Sequence, residues 1–469
     1  MKKAFALVLA LVMALTLLAG CGASAASTAT TSAASSAPAS SAAASAPQGK
    51  VLNIYCWNEE FKSRVEAYYP KYDKDTQMIG DVKVNWVITP NENNAYQDAL
   101  DSALLNKTEA DDKVDLFLIE ADYARKYTSA DAGVAMDVRS LLSDSDLADQ
   151  FKYTQDVVTD ENGVLRGISW QGCPGAMLYR RDVAKQVLGS DDPETVQAAV
   201  SDWTKFSDTA AKMHDAGYTM LAGMDDTYRL FSNNTAAPWV TDGKVTVDPA
   251  IQEWVKQTKD FTDKGYNVKA KLWDSDWAKG ATGNTFCYFG PMWFINFTLA
   301  GNSMETSADN GGKAEVGNGT WGEWGACAGP EGFFWGGTWM CAAEGTDNSD
   351  VITDMMKTLC CDEATADKLA RECDEFTNNK TAMKKLADDT TYGSAFLGGQ
   401  NPYAALYSSA ENIVMDKITG YDQGCNEQFQ TAYHDYFNGT VDEKTAYDNF
   451  IKAVQEKYPE LTDGGYYGA

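Results

Sequence analysis

Hydrophobic and polar residues begin to alternate in regular blocks near residue 50. Segments rich in apolar residues at 51–55, 82–87 and 114–119 predict three strands, the third with a continuous apolar run after Asp115. Between them, residues 61–69 and 96–104 carry hydrophobic side chains at helical spacing. A β-α-β-α-β order predicts an α/β fold with a parallel sheet and helices on both of its faces. Ligands of such sheets bind at the carboxyl ends of the strands.

Polar and aromatic side chains follow two of these predicted strands. Trp57, Asn58 and Glu59 come after the first strand, and Glu120 and Asp122 come after the third. A carboxylate has two oxygens and can accept hydrogen bonds from neighbouring hydroxyl groups. These five residues are therefore candidates for binding a hydroxylated ligand.

Beyond residue 160 the pattern becomes mostly helical. Asn162-Gly163 predicts a β-hairpin turn, and the 3.6-residue spacing over residues 196–213 predicts one helix. Similar spacing predicts helices over residues 251–261, 351–359 and 446–458. A body of about 420 residues, from 50 to 469, exceeds what one hydrophobic core supports, so two lobes are expected.

Aromatic residues concentrate in the segment 286–339, which holds twelve of them among interleaved glycines. Loops run on protein surfaces, so these rings cannot all belong to a core. Flat rings beside polar groups suit sugars, whose C–H faces pack on rings while their hydroxyls form hydrogen bonds. The candidate stacking residues are Trp57, Trp293, Trp335 and Trp339.

Further polar residues could supply mixed hydrogen-bond donors and acceptors to the same ligand. The candidates are Asp226, Gln171, Arg229, Asn378 and Gln400, besides Asn58. Because the chain holds 67 acidic residues, most of its carboxylates must simply face solvent.

The N-terminus predicts export and a lipid anchor. Residues 1–20 combine two lysines with a short apolar run, as in a secretory signal peptide. Leu18-Ala19-Gly20-Cys21 resembles the bacterial lipobox, which implies lipidation of Cys21. Residues 21–49 are almost entirely Ala, Ser and Thr and predict a disordered tether. The protein is expected on the outer face of the cell membrane.

The chain is strongly acidic, with a formal net charge of −28. This charge disfavours nucleic acid as a partner and suits an uncharged or a cationic ligand. Nine cysteines remain besides Cys21, so at least one is free in a monomer. No C-x-x-C pair occurs and only two histidines are present, so neither a metal site nor a cofactor is expected.

Several short segments, in order, resemble family 1 extracellular solute-binding proteins of ABC importers, which are similar to maltose-binding protein. The resemblance covers about residues 50–460 and is carried by Trp57-Asn58, Val114-Asp115-Leu116-Phe117, Gly167-Ile168-Ser169-Trp170, Met177-Leu178-Tyr179-Arg180-Arg181-Asp182, Asp242-Gly243-Lys244-Val245, Gly290-Pro291-Met292-Trp293 and Gly336-Gly337-Thr338-Trp339. Arg180 and Arg181 stand where the family often has Asn and Lys, and the segment 171–175 also departs from its pattern. These departures concern the ligand more than the fold.

The resemblance implies a two-lobed periplasmic-binding-protein-like fold with a hinge of crossing strands. Lobe one would comprise residues 50–169 plus 328–374, and lobe two residues 170–327 plus 375–469. The ligand would be a sugar or oligosaccharide held in the cleft between the lobes. A monomer would deliver it to the membrane permease subunits of an ABC importer, without catalysis.

Two alternatives stay open at this stage. The same fold could bind a cationic solute such as a polyamine, since acidic and aromatic clefts attract cations. A surface-anchored glycan-degrading enzyme is the other. Glycoside hydrolysis needs two carboxyls on opposite sides of the scissile bond, which adjacent pairs such as Glu59-Glu60 do not provide. No G-x-S-x-G motif and no P-loop is present.

Overall fold

The structure is a computed structural model that describes residues 49–468. The predicted signal peptide, the lipidation site Cys21 and nearly all of the tether therefore lie outside the described residues. Between residues 49 and 468, every helix is too short or too polar to cross a membrane.

The described residues form an α/β structure. The strands are β1 (Val51–Cys56), β2 (Tyr72–Asp73), β3 (Met78–Ile79), β4 (Val82–Ile88), β5 (Leu116–Glu120), β6 (Ile168–Ser169), β7 (Ala176–Arg180), β8 (Thr219–Gly223), β9 (Val240–Thr241), β10 (Lys244–Val245), β11 (Asn267–Ala270), β12 (Thr285–Gly290), β13 (Trp324–Cys327), β14 (Thr338–Ala342) and β15 (Thr462–Asp463). The α-helices are α1 (Glu60–Tyr68), α2 (Ala95–Asn106), α3 (Ala124–Thr128), α4 (Asp144–Leu147), α5 (Lys152–Asp156), α6 (Arg181–Leu188), α7 (Pro193–Val200), α8 (Trp203–Asp215), α9 (Tyr228–Ser232), α10 (Pro249–Lys264), α11 (Ser275–Lys279), α12 (Ala300–Asn302), α13 (Ser349–Met356), α14 (Glu363–Cys373), α15 (Lys380–Ala387), α16 (Tyr403–Ala410), α17 (Asp422–Phe437) and α18 (Glu443–Lys457). Short 3-10 turns occur at Glu92–Asn94, Ala121–Tyr123, Ala130–Ala132, Val138–Ser140 and Ala308–Asn310, and π-helical turns at Phe294–Leu299 and Lys357–Cys361.

The first sheet has seven strands in the order β2-β3-β4-β1-β5-β14-β6. Its centre is parallel, because β1 pairs in parallel with both β4 and β5. This confirms the three strands and the parallel arrangement predicted from the sequence. The sheet as a whole is mixed, since β14 enters from far along the chain and pairs antiparallel with β5 and β6.

The second sheet has the order β11-β8-β12-β7-β13. Strand β8 is parallel to β11 and β12, whereas β7 is antiparallel to β12 and β13. Helices α10, α17 and α18 share a separate hydrophobic core with the small sheet β15-β10-β9. The carboxyl ends of β8, β11 and β12 point the same way because these three strands are parallel.

Three chain segments run side by side where the chain passes between the two large sheets: residues 170–175, 333–338 and 375–378. Gly175 N donates a hydrogen bond to Phe333 O at 2.7 Å, and similar backbone bonds tie the first segment to the third. Backbone hydrogen bonds therefore hold these crossing segments together.

Two local predictions were wrong. The helix expected over residues 196–213 is two helices, because Asp202 leaves the helical conformation and its side chain caps α8 by accepting Lys205 N at 2.8 Å. Asn162-Gly163 forms a turn closed by a single bridge between Thr159 and Leu165, without two flanking strands.

The aromatic segment 286–339 is mostly core. Eight of its twelve rings are buried: Phe286, Tyr288, Phe289, Phe294, Trp324, Phe333, Phe334 and Trp339. The other four, Trp293, Phe297, Trp321 and Trp335, are partly or largely exposed. Strands β12, β13 and β14 run through this segment, so its composition reflects buried strands as well as surface loops.

Candidate functional site: a tryptophan-lined cleft

A cleft of about 720 Å³ is lined by residues that follow strands of both large sheets. The carboxyl ends of β1 and β5 reach it from the first sheet, and those of β11 and β12 from the second. Helix α9, which follows β8, also contributes. The structure brings together in this cleft eight of the residues predicted from the sequence: Trp57, Asn58, Glu120, Asp122, Gln171, Arg229, Trp293 and Trp335.

Three tryptophans form one wall of the cleft. Trp293 and Trp335 pack edge to face with ring centroids 5.0 Å apart, and Trp293 Nε1 donates to Trp335 O at 3.1 Å. The ring of Trp273 lies 5.6 Å from that of Trp335, and its side chain remains 53% exposed. Phe297 extends the same wall and is 70% exposed. The wall thus offers a broad apolar surface at the mouth of the cleft.

Sequence reasoning missed Trp273 and Phe297. Trp273 lies in a loop directly after β11, so a tryptophan after a strand was the available signal. Its backbone has φ of 72°, in the left-handed region that residues with a Cβ rarely adopt. Such strain tends to be retained at functional sites.

Trp57 lines the cleft from the side of the first sheet. It is half-buried and packs edge to face on Tyr96 and Tyr123, with ring centroids 5.5 and 6.3 Å away. Asn58 beside it accepts a hydrogen bond from Glu60 N at 2.9 Å and so also shapes the start of α1.

An ion pair joins the two sides of the cleft. Arg229 from α9 donates Nη1 and Nη2 to the two carboxylate oxygens of Asp122, both at 2.9 Å. The guanidinium carbon lies 5.0 Å from the ring centre of Trp335. Burial alone would raise the pKa of Asp122, but the charge and hydrogen bonds of Arg229 outweigh it and lower that pKa. The carboxyl group of Asp122 is therefore ionised.

Glu120 is the last residue of β5. Its Oε2 accepts the backbone N–H of Asp122 at 3.0 Å. Burial and, next, the negative charge of Asp122 raise the pKa of Glu120 to about 8, against a smaller opposite effect of Arg229. The Glu120 carboxyl is thus mostly protonated at neutral pH.

A second charged cluster lies beside the crossing segments 170–175 and 375–378. Arg64 Nη2 is 2.5 Å from Oε1 of the buried Glu375, whose other oxygen accepts Trp170 Nε1 at 3.1 Å. Gln171 Nε2 donates to Glu60 Oε1 at 3.2 Å. Burial and then the like charge of Glu60 raise the pKa of Glu375 to about 7.

Sequence reasoning missed Glu60, Arg64 and Glu375. The spacing of Glu60 and Arg64, four residues apart on one helix, was the available signal. Glu375 had none, because its partners are more than 200 residues away along the chain.

Two residues predicted to bind ligand are part of the protein interior. Trp339 is 1% exposed, and its Nε1 donates to Thr154 O at 2.8 Å. Asn378 is also 1% exposed; it accepts from Phe151 N and donates to Thr154 Oγ1 and Ser169 O. Their hydrogen-bonding groups are already used within the fold.

Gln400 and Glu59 also lie away from the cleft lining. Gln400 exchanges hydrogen bonds with the backbone of Ala326 in β13 and accepts from Arg181. Glu59 points to solvent with a side chain 68% exposed, and pairs with Lys62 at 3.0 Å. Neighbouring Glu60, rather than Glu59, faces the cleft.

Asp226 lies on a smaller cavity of about 150 Å³ on the other side of the Asp122–Arg229 ion pair. It accepts Trp277 Nε1 at 2.7 Å and the backbone N–H groups of Ala222 and Gly223. Burial, against these hydrogen bonds, raises the pKa of Asp226 to about 7. Its carboxylate oxygens accept hydrogen bonds that stabilise the turn after β8.

No group of side chains suited to hold a metal ion occurs within residues 49–468. All nine cysteines of this range are free, and seven of them are buried. The site that the structure assembles is therefore one of aromatic rings, carboxyls, arginines and amides.

Comparison with known proteins gives one family and one fold. The sequence pattern described as "Bacterial extracellular solute-binding protein" matches residues 67–392. No curated protein sequence matches the chain.

Many solved structures match over nearly their whole length. A structure described as extracellular solute-binding protein family 1 is 16% identical with a TM-score of 0.71, covering 87% of this chain and 99% of its own. The ABC transporter-associated binding protein of B. animalis subsp. lactis, in complex with β-1,6-galactobiose, is 16% identical with a TM-score of 0.60, covering 89% and 100%. Maltose-bound MalE3 of T. maritima is 13% identical with a TM-score of 0.57, covering 87% and 99%. The likeness shows a two-lobed α/β binding-protein fold.

Proposed function

The chain belongs to the bacterial extracellular solute-binding protein family, and on that basis we propose that it captures a sugar or oligosaccharide for an ABC importer. The family is extracellular, so the protein is exported. Delivery of the ligand to the membrane permease subunits is part of the proposal.

The tryptophan wall of the cleft is the observation that carries the sugar assignment. Trp273, Trp293 and Trp335 present ring surface beside the carboxyl groups of Glu120 and Asp122. A sugar has apolar C–H faces and polar hydroxyls, so it needs both kinds of surface in one place. The galactobiose and maltose complexes of the structural relatives support the same class of ligand.

We assign the roles in the cleft as follows. Trp335, Trp293, Trp273 and Trp57 stack on sugar rings. Hydroxyl groups bind to polar side chains on both sides of the cleft, namely Asn58, Glu60, Glu120, Asp122, Gln171 and Arg229.

The lobes proposed from the sequence fit the membership of the two large sheets. Strands β1 to β6 and β14 of the first sheet fall in residues 50–169 and 328–374, and strands β7, β8, β11, β12 and β13 of the second fall in residues 170–327. A ligand that touches both lobes would stabilise their closed arrangement. The crossing segments 170–175, 333–338 and 375–378 would act as the hinge.

Anchoring through Cys21 is a separate part of the proposal, supported by the lipobox-like sequence and the polar tether. Two or more acyl chains hold a protein on a membrane stably. Mass spectrometry of the mature N-terminus tests this part: an acylated Cys21 supports it, and an unmodified N-terminus at another residue contradicts it. We propose that the anchored protein is a monomer and has no catalytic activity.

A thermal-shift panel of mono- and oligosaccharides, with spermidine as the cationic alternative, tests the proposed function. A specific ligand raises the Tm by mass action, by an amount equivalent to about 3 kcal/mol at a hundredfold excess over its Kd. Trp335→Ala should abolish the shift, whereas Val316→Ala, at a residue 68% exposed outside the cleft, should retain it.

Three outcomes would contradict the proposal, two from this panel and one from a separate incubation. One is a shift with spermidine alone. Another is no shift with any sugar. The third is the appearance of cleavage products when an oligosaccharide is incubated with the protein.

A further inference from the structure

The carboxyl groups that line the cleft outnumber its arginines. Arg229 forms an ion pair with Asp122 through two hydrogen bonds of 2.9 Å. Arg64 is 2.5 Å from Glu375 and 3.8 Å from Glu60, so two carboxyls share one cation. No arginine or lysine of residues 49–468 forms an ion pair with Glu120.

Glu120 has unused hydrogen-bonding capacity. Its Oε2 accepts Asp122 N at 3.0 Å, and within the described chain no side chain donates to its carboxyl group. The charged or titratable groups that face it are Asp122, Tyr123, Cys173 and Arg229. Arg229, the one cation among them, is the partner of Asp122.

The rings beside Glu120 also favour a positive charge. The face of an indole ring attracts cations, and the Arg229 guanidinium already lies 5.0 Å from the centre of Trp335. The half-buried Trp57 and the exposed Trp273 line the same cleft and are not in contact with a cation. A ligand bound in this cleft would therefore contact aromatic faces and an unpaired carboxyl group at the same time.

On the basis of the proposed sugar-binding function, we propose that the ligand is an amino sugar whose free ammonium group binds to Glu120. Its ring stacks on the tryptophan wall and its hydroxyls use the remaining polar groups. One unpaired carboxyl matches one ammonium group. A polyamine carries several charges, and most of them would find only carboxylates that are already paired with arginine.

Proton release distinguishes an ammonium ligand from a neutral sugar. At pH 7 the Glu120 carboxyl of the free protein is mostly protonated, since its pKa is about 8. Binding an ammonium group requires the ionised form, so a proton leaves Glu120 and passes to the buffer. The affinity should therefore rise as the pH increases toward about 8. Above that pH it should fall, because the amino sugar loses the proton of its ammonium group. A neutral sugar needs no ionised carboxyl and should release no proton.

The test uses three matched series: glucosamine, galactosamine and mannosamine, the N-acetyl form of each, and the parent hexoses. Isothermal titration calorimetry at pH 7 in two buffers of different ionisation enthalpy gives both the affinity and the number of protons released. We expect the amine of at least one series to bind about tenfold more tightly than its acetylated and parent forms. We also expect its binding to weaken in high salt.

Two variants localise the effect. Glu120→Gln should lower the affinity for the amine about tenfold and should abolish the proton release. It should fold normally, because glutamine resembles the protonated carboxyl in shape. Glu59→Gln is the matched control, since this carboxylate pairs with Lys62 outside the cleft. Thermal unfolding of both variants checks the fold.

The outcomes separate this inference from the proposed function. If parent or acetylated sugars bind as tightly as the amines and no proton is released, the amino-sugar inference is overturned and sugar binding stands. If the amine advantage persists in Glu120→Gln, the assignment to Glu120 is overturned. If neither the amines nor their acetylated and parent forms bind, the amino-sugar inference is overturned. If the thermal-shift panel also finds no sugar or oligosaccharide ligand, or spermidine alone, the proposed function is overturned as well.

Discussion

At Trp273 the backbone lies in a conformation that a tryptophan adopts only with strain, with φ of 72°. Glycine has no Cβ and tolerates this region, whereas alanine does not. We predict that Trp273→Gly is more stable than Trp273→Ala by about 1 kcal/mol, measured by urea unfolding. Equal stability of the two variants would mean that the strain is absent. Both lose the ring, so both should bind sugar more weakly than the native protein.

Asn378 gives a contrasting prediction, because it is a structural residue. It is 1% exposed, and its amide accepts from Phe151 N at 3.0 Å and donates to Thr154 Oγ1 at 2.8 Å and to Ser169 O at 3.0 Å. Asn378→Ala leaves buried backbone groups without partners and should lower the free energy of unfolding by about 2–3 kcal/mol.

The exposed Asn412 provides the control for Asn378. Its amide donates to Ser408 O at the end of a helix, in contact with solvent. Asn412→Ala should change the free energy of unfolding by less than about 0.5 kcal/mol in the same urea titration. A large loss of ligand affinity in folded Asn378→Ala would contradict the structural role assigned to Asn378.

Trp335 and Trp339 show which cleft residues the local sequence can and cannot predict. Both lie in one glycine-rich segment, and both were expected to stack on a ligand. Trp335 lies in a crossing segment and faces the cleft, whereas Trp339 is in β14, between β5 and β6. The difference arises from strand pairing with residues about 170 or more positions away, which the local pattern cannot contain.

At the scale of elements, the crossing segments pack too closely for an extra methyl group at one position. A Cβ on Gly175 would lie 2.0 Å from Cζ of Phe333, in the neighbouring segment. Gly175→Ala should therefore destabilise the protein by about 1–3 kcal/mol through overpacking. Thermal and urea unfolding would measure this change.

Gly301 is the matched control for Gly175. It lies in α12, and a Cβ there would contact nothing within 4 Å. Gly301→Ala should be neutral or stabilise by up to about 1 kcal/mol, because alanine restricts the unfolded chain. If Gly175→Ala behaved like Gly301→Ala, the crossing segments would be looser than the structure indicates.

Elements with local signals were the ones that the sequence predicted well. Strands β1, β4 and β5 and helices such as α10, which ends before Gly265, follow hydrophobic periodicity and end signals within a few residues. Strands β6 and β14 complete the first sheet by antiparallel pairing across large sequence separations. Their placement depends on the whole chain, so periodicity alone could not provide it.

At the scale of the whole molecule, several buried carboxyls make stability depend on pH. Burial is the largest cause that raises the pKa of Glu120 to about 8, of Glu375 and Asp226 to about 7, and of Asp422 to about 6. In the unfolded chain these groups titrate near pH 4. The folded protein therefore binds more protons between about pH 4 and 8, and its stability should fall as the pH rises through that range.

Thermal unfolding from pH 5 to 8.5 measures this dependence. We expect the Tm to decrease over the range, and the decrease to be smaller in the double variant Glu120→Gln/Glu375→Gln. Glu59→Gln, at an exposed carboxylate, should keep the native slope. A Tm that rises between pH 5 and 8 would contradict the raised pKa values.

The position of β14 in the first sheet also bears on the order in which the chain can fold. Until residue 342 has been synthesised, β5 is an open edge strand, because its partner on that side does not yet exist. Pairing over such distances is slow, since the chain must first close a long loop. A nascent chain of this protein would thus remain incompletely folded until late in synthesis. That delay suits export, because a secretion channel threads an unfolded chain and a chaperone has time to deliver it.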